Sequence, residues 1–152
     1  MLFPLFDALQ VQHDAGLRLL RFQWLDLANH RLRPALERGL ELVVAHQPTH
    51  VLVDFEGLPP IGIKDELWMS TYWFPRIAGQ SLRCVALVLR PEHLHNQMTT
   101  EAMFWVARHL MRFQVQVFDE VPAALDWLTG RAAAQRLQAE WAAGPPPAPL
   151  PT

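Results

Sequence analysis

Val51-Leu52-Val53-Asp54-Phe55, then Glu56-Gly57-Leu58-Pro59-Pro60-Ile61-Gly62, then an aromatic segment from Lys64 to Gln80, is the stretch whose reading decides the fold. The first piece opens on the apolar, partly β-branched run Val51-Leu52-Val53, which ends in an acid, Asp54. A run of that length and composition reads as a strand buried on both faces. The second is punctuated by Gly and Pro and reads as a loop. The third carries Trp68, Tyr72, Trp73 and Phe74, and a helix is expected there, with Pro75 kinking or breaking it near Tyr72. A buried strand feeding a loop and then a helix is the unit from which α/β domains are built. The loop at the strand's carboxyl end is where such domains bind ligands. This loop has no hydroxyl, histidine or cysteine, so it brings little chemistry of its own.

Toward the N-terminus, Leu5 to Gln12 and Leu17 to Leu25 are expected as two strands joined by a turn at Ala15-Gly16. In the second run Leu17, Leu19, Arg21, Gln23 and Leu25 share one face, and Arg18, Leu20, Phe22 and Trp24 the other. A helix is expected to begin at Asn29 or Arg33, with Pro34 in its first turn, where a missing N–H costs nothing. Its apolar stripe would be Leu32, Leu36, Leu40, Val43 and Val44, and Pro48 stops it. Toward the C-terminus, Arg83 to Leu89 is the most apolar run and is expected to be central in the sheet. Pro91 to Met98 reads as irregular. Thr99 is a candidate N-cap for a helix with Met103, Val106, Ala107 and Leu110 buried. Phe113 to Phe118 reads as a fifth strand, with Phe113, Val115 and Val117 on one face. Asp119 is the expected cap of a helix whose stripe is Val121, Ala124, Leu125 and Leu128.

The sum is an α/β domain: a mixed, mostly parallel five-stranded sheet, opened by an antiparallel hairpin and packed with about four helices. The domain is expected over 1–130, with Gly130 as boundary. An alanine-rich helix over 131–143 follows, able to dock through Leu137 and Trp141, and then a proline-rich extended tail over 144–152. The 152 residues are 51% hydrophobic and 18% charged, which suits one globular domain. A net charge of −2 argues against a nucleic-acid partner. Cys84 is the only cysteine, so no intrachain disulfide can form, and its apolar surroundings suggest a small core residue. No stretch reaches transmembrane length, and Met1 to Asp7, interrupted by Pro4, lacks a positive leader. A cytoplasmic protein is expected, without membrane contact.

With the elements in this order the chain resembles the STAS domain, the fold of bacterial anti-sigma-factor antagonists. It is more closely similar to bacterial SpoIIAA-like (STAS/SEC14-like) proteins of unassigned function. The residues that carry the resemblance are Val51-Leu52-Val53-Asp54, Trp68 with Trp73-Phe74-Pro75-Arg76, Val85-Ala86-Leu87-Val88-Leu89, and Phe118-Asp119 followed by Ala124-Leu125-Asp126-Trp127-Leu128. They span about Leu5 to Thr129. The antagonist branch is controlled by a phosphorylated serine or threonine at the start of the helix after the third strand. The matching stretch here, Pro60-Ile61-Gly62-Ile63-Lys64-Asp65, has no hydroxyl, and Ser70 and Thr71 lie about two turns further on. The resemblance therefore implies the fold and an interaction role, without phosphoregulation.

The candidate interaction surface is Trp68, Tyr72, Trp73 and Phe74. A helix apolar nearly all round must be covered on more than one side, and aromatics anchor interfaces. A homodimer or another protein partner is the expectation. A second reading is a carrier of an apolar small molecule, by analogy with the SEC14-like lipid carriers, with Asp54, Glu56, Pro59, Pro60 and Ile61 as candidate ligand loop. A third, weaker reading gives Asp54 and Glu56 acid–base work; no nucleophile, phosphate loop or recognised catalytic motif accompanies them. His93 and His95 with Glu92 lack further ligands at a recognised spacing, and Glu101 and His109 stand too far apart to pair. His46 and His50 read as solvated. No metal, no cofactor and no enzymatic activity are expected.

Overall fold

The computed structural model describes residues 1–6, 9–25, 31–56, 62–88 and 113–144. The expected helix after Thr99, the Pro91 to Met98 segment, His93, His95, Glu92, Glu101, His109, the loop residues Pro59, Pro60 and Ile61, and the tail beyond Gly144 lie outside them. The strands are β1 (Leu9–Asp14), β2 (Leu19–Trp24), β3 (His50–Asp54), β4 (Cys84–Val88) and β5 (Gln114–Phe118). They form one five-stranded sheet in the order β1-β2-β3-β4-β5. Only β1 and β2 are antiparallel; every later neighbour is parallel. This is the mixed, mostly parallel α/β sheet read from the sequence. The middle strand is β3 rather than β4, which runs between β3 and β5.

Alternation along the strands divides the interior into two layers. Leu20, Phe22, Val51, Val85 and Leu87 face one side; Leu19, Leu52, Ala86 and Val88 face the other. Because side chains repeat every second residue, this register sends the apolar residues of β2, β3 and β4 into one layer or the other, whereas Val117 of β5 is exposed. Parallel neighbours joined in sequential order need crossovers of one hand, which stacks their helices on one face. That face carries α1 (Leu32–His46), then α2 (Ile63–Trp68), a π-helical turn (Met69–Trp73) and α3 (Phe74–Ala78). The opposite face carries α4 (Val121–Thr129) and α5 (Arg131–Ala143).

Local chemistry sets several boundaries. Asp14 Oδ1 accepts the Leu17 N–H at 2.9 Å and closes the hairpin turn. Pro34 sits in the first turn of α1, and Gln47 ends that helix in the left-handed region at φ 46° before Pro48. The buried stripe of α1 is Leu32, Ala35, Leu36, Gly39, Leu42 and Val43, whereas Val44 is exposed. The expected stripe followed the large side chains. The real one runs through two small residues because Phe22 presses on the helix there: a Cβ built at Gly39 would meet Phe22 Cε1 at 3.6 Å. The cap of α4 is Glu120, extended and without a side-chain bond, in place of Asp119. The stripe Val121, Ala124, Leu125 and Leu128 is buried as expected.

The helix α5 is tied down by polar contacts as well as by apolar ones. Leu137 is 0% exposed in the second core layer. Gln12 Nε2 donates to the Leu137 carbonyl at 2.8 Å and to Glu140 Oε1 at 3.0 Å. Arg21, only 2% exposed, donates to Gln138 Oε1 at 2.7 Å and lies 3.6 Å from the centre of a Trp141 ring. Arg136 bridges Asp14 at 2.9 Å. At the outer edge of β1 the first residues add isolated bridges, with the Phe3 N–H donating to the Val11 carbonyl at 2.9 Å. No helix among the described residues is long and apolar enough to cross a membrane.

Candidate functional site

The site is built from the segment that follows β3. Pro75 has no N–H, and its ring would strike the carbonyl of Thr71 in a straight α-helix. The helical backbone does not break at this point. It widens into the π-helical turn, where the Phe74 N–H donates to the Met69 carbonyl five residues back. Such turns recur at functional sites because they rotate neighbouring side chains out of helical phase. Here Met69, Phe74 and Ile77 turn inward and are buried. Trp73 is half-buried and donates its indole N–H to the Leu36 carbonyl of α1 at 2.7 Å.

The four aromatic candidates therefore separate. Phe74, 3% exposed, belongs to the core of its own chain, so its place in a contact surface is corrected. Trp73 ties the π-turn to α1. Trp68 and Tyr72, four apart, stack at the surface with centroids 5.4 Å apart. Two arginines flank them. The Arg33 guanidinium lies 5.5 Å from the Trp68 centroid and is paired with Asp65 at 2.9 Å. That of Arg76 lies 3.6 Å over Tyr72 and donates to its carbonyl at 2.7 Å. Just before them, α2 buries none of its residues. Ile63 is 84% and Leu67 63% exposed, on one helical face.

Beneath this segment, between the sheet and the helices, lies a cavity of about 70 Å³. Its walls come from β2 (Phe22, Trp24), α1 (Leu36, Gly39) and the π-turn with α3 (Met69, Trp73, Phe74, Ile77), and Phe55 closes the carboxyl end of β3. Among the described residues no charged side chain lines it.

No known protein family, curated protein or solved structure matches this chain.

Asp54 is fully buried at the end of β3, on the face opposite the cavity, and its Oδ1 accepts the Glu56 N–H at 2.9 Å. That bond, two residues on, is how an aspartate shapes a turn. Glu56 is exposed. The structure thus gives the two acids different surroundings and opposite exposure. Among the described residues no three His, Cys, Asp or Glu side chains gather as metal ligands do. Cys84 is half-buried, its Sγ 3.9 Å from Gln114 Oε1, rather than sealed in the core.

Of the histidines read as solvated, His46 is exposed and His50 half-buried. His46 lies against His13 with ring centres 4.3 Å apart, and Phe3 stacks on His13 and lies tilted to His46. Burial, His46 and the terminal ammonium hold the His13 pKa below its usual value, against a weaker pull upward from Asp14. His50 is lowered too, by burial and then by Arg83 and Arg18, and its Nδ1 lies 2.8 Å from Thr49 Oγ1. Sequence reasoning passed over Trp24 and Arg21. The strand alternation placed both correctly, but neither the cavity nor the α5 contact was visible from it.

Proposed function

We propose that this chain is a non-enzymatic, STAS-like interaction module that pairs with a second copy of itself through α2 and the π-turn. The observation that carries this is α2 itself, a helical turn with Ile63, Leu67 and Trp68 in it and no buried residue. Exposed apolar patches of this kind mark contact sites, and Trp, Tyr and Arg, all present here, dominate binding energy at interfaces. Covering Ile63 and Leu67 would contribute about 3 kcal/mol, taking about 1.5–3 for each fully buried side chain and discounting for what is already shielded. The non-enzymatic part of the reading is supported by Asp54, whose carboxylate shapes the turn to Glu56. We assign the protein to the cytoplasm, where the free thiol of Cys84 stays reduced.

Sedimentation velocity over a range of concentrations tests the pairing. The wild type should move from monomer toward dimer, and Leu67→Glu should weaken association by roughly a hundredfold. A wild type that stays monomeric throughout, or a variant that associates equally well, would overturn it.

One observation favours a second reading, a carrier of a small apolar molecule. The apolar cavity of about 70 Å³ lies under the π-turn, at the carboxyl side of β2 and β3. Ligand pockets of α/β sheets are found on that side.

A further inference from the structure

Three parallel strands start side by side at the amino end of the sheet, and cationic side chains collect there. Leu19, His50 and Cys84 are in register on β2, β3 and β4. The carbonyl of Arg18 accepts the N–H groups of Thr49 and His50 at 2.9 and 3.1 Å, and that of Thr49 accepts those of Arg83 and Cys84 at 2.8 and 3.0 Å. Arg18 and Arg83 are thereby fixed one strand to either side of His50. Neighbouring strands lie about 4.8 Å apart, so the two backbones stand about 10 Å apart, a span that two arginine side chains can close from both sides. Both arginines are exposed and His50 is half-buried. Both charges act on His50: after burial, Arg83 and then Arg18 hold its pKa below the usual value. Among the described residues no acid opposes them, whereas Asp14 does so at His13.

The group keeps hydrogen-bond donors to spare. Arg18 Nη2 donates to the Gln47 carbonyl at 2.8 Å, which fixes the direction of that side chain and leaves most of its N–H groups open. Among the described residues the Arg83 side chain has neither an ion pair nor a hydrogen bond. His50 Nδ1 lies 2.8 Å from Thr49 Oγ1. A neutral ring that takes the Thr49 hydroxyl proton at Nδ1 carries its own proton on Nε2, a further donor. We propose that Arg18, His50 and Arg83 form a binding site for a doubly charged tetrahedral oxyanion of the phosphate or sulfate class. Two guanidinium forks and one imidazole N–H, coming from three strand starts, match an anion with oxygens on every side better than a planar carboxylate. The anion also offsets the mutual repulsion of the cations. The site lies at the opposite end of β3 from Asp54 and Phe55, so it stands independently of the pairing and carrier readings.

Sodium sulfate is the probe, because it stays a dianion across the range in which histidine titrates. The imidazole resonances of the full chain are followed by NMR against pH, in sulfate and in sodium chloride of equal ionic strength. A dianion held beside His50 favours its protonated form, so sulfate should raise the His50 pKa by about one unit, tenfold in proton affinity, and the effect should saturate. Arg83→Gln removes one cation. The His50 pKa should then rise in chloride alone, and the sulfate concentration needed for half the effect should grow by roughly tenfold, the loss of one charge-assisted contact. A His50 titration identical in the two salts would overturn the proposal. So would a sulfate effect of undiminished strength in Arg83→Gln. Should that variant fail to fold, the wild-type comparison of the two salts decides alone.

Discussion

Truncating Leu137 to alanine probes whether α5 is part of the domain or an appendage beyond Gly130. Leu137 is 0% exposed and packs in the layer that holds Leu19, Leu52, Ala86 and Leu125. Its carbonyl, which takes the Gln12 bond, survives the change, so the loss is one of packing alone. Removing the outer carbons of a sealed leucine costs about 3 kcal/mol, within a range of about 2–5. Against a domain stability of about 5–15 kcal/mol this is a large share. With a urea slope of about 2 kcal/mol per molar, the unfolding midpoint should drop by about 1.5 M. Urea titration followed by tryptophan fluorescence and by far-ultraviolet circular dichroism reads this directly. The two signals should move together, since α5 and the sheet unfold as one unit. A loss below about 0.5 kcal/mol, typical of surface changes, would refute the reasoning. So would a separate early transition confined to helical signal.

Three further outcomes are expected. Gly39→Ala should raise stability by about 0.5–1 kcal/mol, because glycine in a helix interior is costly and the new methyl reaches Phe22 Cε1 at an ordinary 3.6 Å; urea unfolding measures it. Trp73→Phe removes the 2.7 Å bond to the Leu36 carbonyl and should cost about 1 kcal/mol, read from the same titration. His13 and His50 both have folded pKa values below the ordinary 6.5, so the unfolded chain takes up protons first. Stability is then complete above that value and falls as pH drops through the folded values. The melting temperature should be lower at about pH 5.5 than at about pH 7.5, with His13→Gln flattening the slope; a rise on acidification would contradict the assignment.

Much of this architecture was legible because alternation leaves little freedom. In Leu19 to Trp24 a shift of one residue would have carried Leu20, Phe22 and Trp24 together into the opposite layer, so the faces could be read correctly. The apolar run Val51 to Val53 and the spacing of Val121, Ala124, Leu125 and Leu128 were equally decisive. What stayed hidden depended on contacts distant in sequence. Arg21 on a core-facing position looked like an imperfection of the pattern. Its burial makes sense once Gln138 and Trp141, more than a hundred residues away, are seen to cover it. The stripe of α1 was misdrawn toward Val44 because Ala35 and Gly39 carry too little side chain to announce burial. Pro75 announced a disturbance, but a break, a kink and a π-helical turn are alike in sequence. The spacing of four that puts Trp68 and Tyr72 on one side of the helix is matched by their stacked rings, while Phe74 went inward once the wider turn changed the phase. That the indole N–H of Trp24 meets no acceptor among the described residues has no signature in sequence at all.

Nuclear Overhauser spectroscopy on an equal mixture of isotope-labelled and unlabelled chains, filtered for contacts between the two, tests the proposed pairing most directly. Methyl protons of Ile63 and Leu67 in one copy should show cross-peaks to aromatic protons of Trp68 or Tyr72 in the other. A dimer whose intermolecular cross-peaks come from elsewhere, with Ile63 and Leu67 still facing water, would contradict it.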